Sequence, residues 1–359
     1  MAKEIRGRIK AKSVLIDLEL DSDLRKLEDA ETYLQSHRDK CVIIDEIQRM
    51  PRLFTLLRAL VDLERRPGRF IILGSASPRM IKDSSETLAG RISYSELAPF
   101  SLPEIESIKT QEEHWLKGGF PDALLAPSEK FTWRWLQNFI RTFIERDLRE
   151  LGHEISNVML SRLLSMLSHI QGQLLNSSEL SRSLGVSVPT VNRYLDLLEG
   201  SFIINRLQPY FRNIKKRLVK SPKIYFRDSG VLHQISNING RETLLGHIVA
   251  GASWEGYVIE QVRRVSENRL EMYFYRTHGG AETDLVLIGP GNRIACIEIK
   301  LSNAPPISKG FYQSIEDIGP EFKYVICPHT EKYERSGGII VCSLIDFLEK
   351  ELLKICSNV

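Results

Sequence analysis

Residues 41–46 read CVIIDE, four apolar residues followed directly by two carboxylates. A short apolar run without polar interruption is typical of a strand buried on both faces of a parallel sheet. Similar runs lie at 13–18 (SVLIDL) and 69–75 (RFIILGS), and segments of helical character, 22–36 and 52–64, separate the runs. The N-terminal third therefore predicts an α/β fold built on a parallel sheet.

The overall composition is that of a soluble globular protein, and from the cysteine pattern and the N-terminal sequence we expect a cytoplasmic location. Hydrophobic residues make up 42% of the chain and charged residues 26%, with a formal net charge of +3. No apolar run approaches the roughly 18 residues of a membrane span, and the basic N-terminus lacks the apolar stretch of a secretory signal, so we expect no membrane partner. The eight histidines show no metal-ligand spacing, and the same holds for the five cysteines, which we expect to be buried thiols: Cys41, Cys296, Cys327, Cys342 and Cys356.

The two carboxylates after the apolar run lie where open α/β sheets bind ligands, at the carboxyl end of a buried strand. Asp45 could hold Mg²⁺ on a nucleotide, and Glu46 could polarise an attacking water, which is the Walker B pattern. Ser75, at the end of the next strand, could orient the same water, and Arg91 is a candidate charge donor to a γ-phosphate. The alternative is a simple exit from strand to loop.

The phosphate-binding loop that usually accompanies this pattern is not found in the 359 residues. That loop reads G-x-x-x-x-G-K-[ST] between a strand and a helix, so that backbone amides and a lysine surround the phosphates. The nearest stretch, 7–13, lacks the second glycine and precedes a strand instead of following one.

Residues 176–200 predict two short helices joined by a glycine turn, the helix-turn-helix arrangement. Val191, Leu195 and Leu198 would face the core of this unit, whereas three polar residues would point outward as candidate DNA contacts. The outward residues are Thr190, Asn192 and Arg193. Two extended segments, 202–207 and 223–227, follow as in a winged helix.

A basic segment coincides with the expected wing. Between Asn205 and Arg227 the chain has eight basic residues and no acidic one. They are Arg206, Arg212, Lys215, Lys216, Arg217, Lys220, Lys223 and Arg227. Such a segment could contact the phosphates of DNA, and we assign this role to Arg212, Lys215, Lys216 and Arg217. The alternative is a packing module whose charges are merely solvated.

A second group of chemically suggestive residues lies in the last third, where strands 283–288 and 294–300 predict a hairpin. Glu298 and Lys300 share one face of the second strand, Asp284 lies on the first, and Glu255 lies on the preceding helix. Carboxylates and a lysine so placed could hold Mg²⁺ or Mn²⁺, with Asp284 and Glu298 as metal ligands, beside a scissile phosphate. This is the arrangement of restriction-type nucleases. The alternative is an ion pair at a sheet edge.

Taken together, these residues resemble a known family. CVIIDEIQRMPRLFTLLRALVD, PGRFIILGSAS, SETLAGRI, GGFPDALL and FIRTFIERDLREL occur in this order along the chain. They are similar to prokaryotic AAA-superfamily ATP-binding proteins with a C-terminal restriction-endonuclease-like domain of unknown function. The resemblance implies an AAA-type core at 1–100, a helical region with a winged helix-turn-helix at 101–228, and a nuclease-like α/β domain at 229–359.

The resemblance also assigns roles. It implies ATP with Mg²⁺ as cofactor, Walker B roles for Asp45 and Glu46, a polar sensor role for Ser75, and an arginine finger at Arg91 that could act on the nucleotide of a neighbouring subunit in a homo-oligomer. Residues 1–5 resemble the start of the helix that follows the phosphate-binding loop. We therefore expect either a truncated sequence or a degenerate member, with tight ATP binding and hydrolysis lost. A DNA-binding protein and a metal-dependent nuclease remain the alternative functions.

Overall fold

A computed structural model describes residues 2–9, 11–74, 88–147, 156–211, 218–267, 269–303 and 306–357. The chain forms two compact units, Met1–Glu96 and Leu97–Val359. The middle and C-terminal regions expected from the sequence, 101–228 and 229–359, both lie in the second unit.

The first unit is built on a parallel sheet, as the apolar runs predict. Its described strands lie in the order β1-β2-β3. They are β1 Ser13–Asp17, β2 Cys41–Asp45 and β3 Phe70–Ile72. The helices are α1 Ala2–Arg8, α2 Asp21–Lys26, α3 Ala30–Ser36 and α4 Leu53–Leu63, with a 3₁₀ turn at Ile47–Arg49.

Both faces of this sheet are covered, which explains the uninterrupted apolar sequence of β2. Val42 and Ile44 pack with Leu57 of α4 on one face, whereas Ile43 packs with Ala2 of α1 on the other. The helical segment expected at 22–36 is wrong in one respect, because it is two helices. Asp29 begins the second one by accepting a hydrogen bond from the Thr32 amide at 3.2 Å.

The second unit contains a mixed sheet of eight described strands in the order β10-β11-β9-β8-β7-β6-β4-β5. The strands are β4 Ile204–Pro209, β5 Lys223–Phe226, β6 Glu271–Arg276, β7 Glu282–Gly289, β8 Arg293–Ile299, β9 Phe322–Cys327, β10 Tyr333–Arg335 and β11 Ile339–Ser343. Strands β8, β9 and β11 are parallel, whereas β6, β7 and β8 are antiparallel.

Helices surround this sheet and form the region before it. They are α5 Leu102–Ile105, α6 Gln111–Lys117, α7 Pro121–Leu124, α8 Glu129–Thr142, α9 Asn157–His169, α10 Ser177–Leu184, α11 Val188–Gly200, α12 Ser229–Ile235, α13 Arg241–Leu245, α14 Ala250–Ser266, α15 Lys309–Ile318, α16 Leu344–Asp346 and α17 Leu352–Cys356. Helix α8 continues into a π-helical turn at Phe143–Asp147, and a second π-helical turn, Phe347–Glu351, precedes α17; Pro290–Asn292 is a 3₁₀ turn.

The helix pair α10 and α11 has the inward and outward faces that the sequence predicts. Val191, Leu195 and Leu198 are fully buried, whereas Asn192 and Arg193 are exposed. Strand β5 joins this helical core to the larger sheet, because its side chains alternate. Ile224 and Phe226 pack in the helical core, whereas Tyr225 packs with Trp254 of α14. Because β5 packs on both the helical core and α14, the chain on either side of residue 228 belongs to one compact unit, and the boundary expected there lies inside it.

Two further expectations concern the cysteines and membranes. All five cysteines are free thiols, and four of them are buried. Burial raises the pKa of Cys296 to about 12, so that this thiol stays protonated and unreactive. Across the described ranges, no helix combines the length and the apolar character that crossing a bilayer requires.

Candidate functional site

The carboxyl edge of the first sheet brings the ends of two described strands together. Asp17 and Asp45 end neighbouring strands in register. On the other side of β2, the Leu73 amide donates to the carbonyl of Ile44 at 2.8 Å, and the Ile47 amide donates to the carbonyl of Leu73 at 3.1 Å. The segment that follows Asp45 is therefore held against the end of β3. A ligand at this edge would meet carboxylates from two strands.

Glu46 turns the chain sharply at this edge. Its backbone has φ 57° and ψ 43°, the left-handed region that side chains other than glycine seldom adopt. The Glu46 amide donates to Oδ1 of Asp45 at 3.2 Å, and its carboxylate accepts a hydrogen bond from the side chain of Gln48. Strained residues of this kind occur preferentially at functional sites.

Ser75 and Arg91 were also predicted for this site, and only Arg91 lies within the described residues. Arg91 forms a two-point ion pair with Asp62 of α4, with Nε–Oδ1 2.6 Å and Nη2–Oδ2 2.9 Å. Asp62 is one residue from the end of α4 at Leu63, and that helix begins at Leu53. Nine residues of helix span about 14 Å. Arg91 is thus held near the far end of α4 from the segment that follows Asp45.

The predicted DNA-reading residues lie on the outer face of α11. Ser187 caps the helix by accepting from the Thr190 amide at 3.3 Å, and the two hydroxyl oxygens are 2.9 Å apart. Asn192 is exposed, and the guanidinium of Arg193 lies 5.8 Å from the ring centroid of Tyr194. Asn192 and Arg193 are therefore exposed at the surface, whereas Thr190 is half-buried, and a contact of these residues with DNA stays a prediction.

Several basic side chains of this segment are paired with carboxylates inside the protein. This finding corrects the interpretation of residues 205–227 as one phosphate-binding wing. Arg206 donates from Nε to Oε2 of Glu199 at 2.7 Å, and Arg227 donates to Oε2 of Glu260 at 3.2 Å. Lys223 is buried among carboxylates. These long side chains fold back onto acidic partners in neighbouring helices and strands. The four residues that we assigned to nucleic acid, Arg212, Lys215, Lys216 and Arg217, lie outside the described residues.

The carboxylates predicted for the C-terminal region do come together. Lys300 Nζ lies 2.6 Å from Oε1 of Glu298, whose Oε2 accepts from the Ser308 hydroxyl at 3.2 Å. On the adjacent strand, Oδ2 of Asp284 accepts from the Ile299 amide at 2.8 Å. The hairpin of β7 and β8 therefore places the acidic and basic groups on one face, as the alternation predicts.

Sequence reasoning did not assign two members to this cluster, Glu282 and Lys223. Nζ of Lys223 lies 3.1 Å from Oε1 of Glu255, 3.2 Å from Oε1 of Glu282 and 3.9 Å from Oδ1 of Asp284. Tyr225 donates its hydroxyl hydrogen to the same Oε1 of Glu255. Lys223 and Tyr225 share one face of β5, but nothing in the sequence indicates which element that face meets.

In this cluster, which we call the carboxylate–lysine cluster (Lys223, Glu255, Glu282, Asp284, Glu298 and Lys300), burial and neighbouring charges shift the pKa values of Lys223, Glu255 and Glu298. Burial raises the pKa of Glu255, although Lys223 opposes it, and burial likewise raises the pKa of Glu298 against the effect of Lys300. Burial tends to lower the pKa of Lys223, but the carboxylates around it, Glu255 first, raise it above its ordinary value. The Lys223 ammonium therefore stays charged at neutral pH.

Two observations bear on the predicted metal site at Asp284 and Glu298. Among the described residues, no group of three or more His, Cys, Asp or Glu side chains is arranged to hold a metal ion. Glu260, one further carboxylate of α14, is not in the cluster, because it accepts hydrogen bonds from Arg227 and Arg263. The assignment of Mg²⁺ or Mn²⁺ to Asp284 and Glu298 stays a prediction.

Comparison with known families divides the chain into three matched regions. A family model described as an AAA domain matches residues 1–106. Two models described as domains of unknown function, DUF8612 and DUF4143, match residues 108–242 and 250–347. The first match agrees with the parallel sheet and its acidic edge.

Curated relatives extend the comparison to most of the chain. The uncharacterized proteins Rv2008c of Mycobacterium tuberculosis and Mb2031c of Mycobacterium bovis are each 38% identical to it over 299 residues, which is 83% of this chain and 67% of each relative. An uncharacterized protein of Haemophilus influenzae is 25% identical over 209 residues, which is 53% of this chain and 50% of the relative.

Proposed function

Since the chain belongs to the same family as the mycobacterial proteins Rv2008c and Mb2031c and carries an AAA domain at residues 1–106, we propose that it is an ATP-binding protein of the AAA type. Its nucleotide would be handled at the carboxyl edge of the sheet β1-β2-β3. The nucleotide state would in turn control the second unit, in which the winged-helix and nuclease-like parts are proposed to lie.

The observation that carries this proposal is the position of Asp45 and Glu46. Asp45 is the last residue of β2, the middle one of the three described strands, and Glu46 follows it; the segment after them is hydrogen-bonded to the end of β3. Asp45 would hold Mg²⁺ beside the phosphates, and Glu46 would orient a water towards them. The proposal is limited to binding. The amides and the lysine of a phosphate-binding loop would be needed for tight binding and for phosphoryl transfer, and the 359 residues contain no such motif, so the binding that we propose is weak.

A titration with a fluorescent ATP analogue in the presence of Mg²⁺ tests the proposal. We expect saturable binding that Asp45→Ala weakens by about tenfold or more, equivalent to roughly 1.4 kcal/mol. Asp39→Ala is the matched control, because Asp39 is an exposed carboxylate before the opposite end of the same strand. Equal binding by all three proteins, or none by folded wild type, would contradict the proposal.

We propose a second candidate function, metal-dependent cleavage of nucleic-acid backbones, because Glu255, Asp284, Glu298 and Lys300 belong to one cluster. Asp284 and Glu298 would hold the metal ion, and Lys300 would stabilise charge at the scissile phosphate. Conversion of supercoiled plasmid to nicked or linear DNA with Mn²⁺ tests it. Cleavage that survives Asp284→Ala would exclude this function for the cluster.

A further inference from the structure

An open hollow lies at the amino edge of the first sheet, where β1 and β2 begin. It has a volume of about 700 Å³, and α1 forms its other side. Among the described residues that line it, four are basic and none is acidic; the basic ones are Lys3, Arg6, Lys12 and Lys40. The amino-edge hollow, as we call it, therefore concentrates positive charge at the opposite end of β2 from Asp45.

The pairing of β1 with β2 places two of these lysines side by side. The first residues of the two strands, Ser13 and Cys41, are partners in register, and the Cys41 amide donates to the carbonyl of Lys12 at 2.8 Å. Lys12 and Lys40 thus directly precede neighbouring strands, whose backbones lie about 4.8 Å apart. Two positive charges so placed repel each other, and an anion bound between them would remove that repulsion.

The described part of the chain supplies no counter-ion to these cations. None of the four is paired with a carboxylate there, and Nζ of Lys40 lies instead 3.4 Å from Nδ1 of His37. In the same unit, by contrast, Arg91 is paired with Asp62. Three of the four cations are exposed and Lys40 is half-buried, so they are open to an anion from solvent.

The hollow is built on backbone that is already held in place. The guanidinium of Arg66 donates to the carbonyls of Lys40 at 2.7 Å and of Arg38 at 2.9 Å, which fixes the turn before β2. On the other side of the hollow, Ala2 of α1 packs on Ile43 of β2. Because the cations are attached to preformed elements, less entropy is lost when an anion binds.

The shape and lining of the hollow indicate the kind of anion. Small ligands are usually enclosed by their pockets, whereas exposed cations on two elements can follow a chain of phosphates. A positively charged groove that follows the backbone is how proteins hold single-stranded nucleic acid. No aromatic ring lies among the described lining residues, so bases have no surface there on which to stack. The lining therefore suits phosphates and gives no preference for sequence.

We propose that the amino-edge hollow binds the phosphate backbone of a single-stranded nucleic acid, independently of base sequence. Lys12 and Lys40 contact phosphates from the starts of the strands, and Lys3 and Arg6 contact them from α1. The site uses neither Asp45 nor the carboxylate–lysine cluster, so it does not depend on either proposed function.

The test is fluorescence anisotropy of labelled oligothymidylate, titrated with the full chain over a range of KCl concentrations. We expect Lys12→Gln/Lys40→Gln to weaken binding roughly tenfold and to make the slope of log affinity against log salt shallower by about 1.4, since each phosphate contact contributes about 0.7. A strand of mixed sequence should give the same values. An unchanged slope in this variant, no binding by folded wild type, or a marked preference for one sequence would overturn the proposal.

Arg52→Gln/Arg58→Gln is the matched control, because it removes two exposed positive charges from the same unit outside the hollow. It should keep the wild-type slope, and a loss equal to that of the lysine variant would overturn the proposal. Lys3→Gln/Arg6→Gln, which changes α1 alone, should reduce the slope as the lysine variant does. Circular dichroism during urea unfolding confirms that the variants fold, and a folded Lys3→Gln/Arg6→Gln with the wild-type slope would equally contradict the proposal.

Discussion

Gly256 lies so close to the side-chain amide of Gln171 that a Cβ atom at position 256 would overlap Nε2 of Gln171. The same Cβ would come within 3.1 Å of Cδ1 of Tyr225. Gln171 cannot simply move aside, because its Oε1 accepts a hydrogen bond from the Phe226 amide at 2.9 Å. The absence of a side chain at Gly256 is thus what allows β5 to dock on α14 and to bring Lys223 to Glu255.

Gly256→Ala should therefore destabilise the second unit by roughly 2 kcal/mol, the usual cost of adding a methyl group to a packed site. Gly251→Ala, five residues earlier in the same helix, is the control. Its Cβ would meet no atom within 4 Å, and we expect a gain of up to about 1 kcal/mol from the lower conformational freedom of alanine.

Urea unfolding followed by tryptophan fluorescence measures both effects in the right unit, because all four tryptophans, Trp115, Trp133, Trp135 and Trp254, lie after residue 96. Equal midpoints for the two alanine variants would show that β5 does not pack on Gly256.

Arg206 should contribute to stability and not to DNA contact. Its backbone amide donates to Oε1 of Glu199 at 2.8 Å, and its guanidinium bonds both Glu199 and Asp196. We expect Arg206→Gln to lower the free energy of unfolding by about 1 kcal/mol, since the pair is partly solvated. The salt dependence of DNA retention should not change in this variant.

Replacing Lys215, Lys216 and Arg217 together by neutral residues should, in contrast, reduce the salt dependence of DNA binding. If each contacts a phosphate, the slope of log affinity against log salt should become shallower by roughly 2.7. Fluorescence anisotropy of a labelled duplex over a range of KCl concentrations gives both slopes. Retention that does not depend on salt would count against DNA binding, and a slope reduced in Arg206→Gln would place Arg206 at a phosphate.

Local patterns were sufficient for much of the fold. The apolar runs at 13–18 and 41–46 gave two strands of the parallel sheet, and the spacing of Val191, Leu195 and Leu198 gave the buried face of α11. In each case, the residues that define the element are neighbours in sequence. The position of Glu298 beside Lys300 was predictable for the same reason, because alternation along one strand fixes a shared face.

Partners that are distant in sequence could not be predicted. Lys223 and Glu255 are separated by 32 positions, and Arg91 and Asp62 by 29. A basic side chain has the same appearance in the sequence whether it faces solvent or a carboxylate on another element. The sequence therefore predicted Lys223 as part of a basic wing that contacts phosphates, whereas tertiary packing buries it beside Glu255.

Asp228 holds the start of α12 against the loop before α7, and replacing it should lower the free energy of unfolding. Its carboxylate accepts from the Gly119 amide at 2.8 Å and from the Val231 amide at 3.2 Å, and it lies 3.7 Å from Arg264. Asp228→Ala removes the carboxylate beside the buried guanidinium of Arg264, which then keeps only its hydrogen bonds to the carbonyls of Phe100 and Arg227, so we expect a loss of roughly 3–5 kcal/mol.

Asp228→Asn distinguishes the charge from the hydrogen bonds at this position. The amide oxygen can still accept from one backbone N–H, so we expect a loss of about 1–3 kcal/mol. Asp122→Ala, at an exposed carboxylate in the first turn of α7, should stay within about 0.5 kcal/mol of wild type. Thermal or urea unfolding gives all three values, and similar losses for Asp228→Ala and Asp122→Ala would contradict the structural role.

His233 should make the stability of the second unit depend on pH. It is fully buried, with Nδ1 2.8 Å from the carbonyl of Leu116 and Nε2 2.7 Å from Oγ of Ser253. Burial lowers the pKa of His233 to about 4, from 6.5 in an unfolded chain. Between these values the unfolded state binds a proton that the folded state does not, so stability is greatest above pH 6.5 and falls as the pH drops towards 4.

The expected loss from this one histidine between pH 7 and pH 5.5 is about 1 kcal/mol. His233→Asn keeps a donor for the Leu116 carbonyl but cannot be protonated in this range. We therefore expect it to be less stable at pH 7 and to lose about 1 kcal/mol less than wild type on acidification. Because His114 is also buried, with its pKa lowered to about 3 by burial, part of the pH dependence should remain. His278→Asn, at an exposed histidine, should reproduce the wild-type pH dependence, and the same result for His233→Asn would mean that His233 is not held neutral in the folded state.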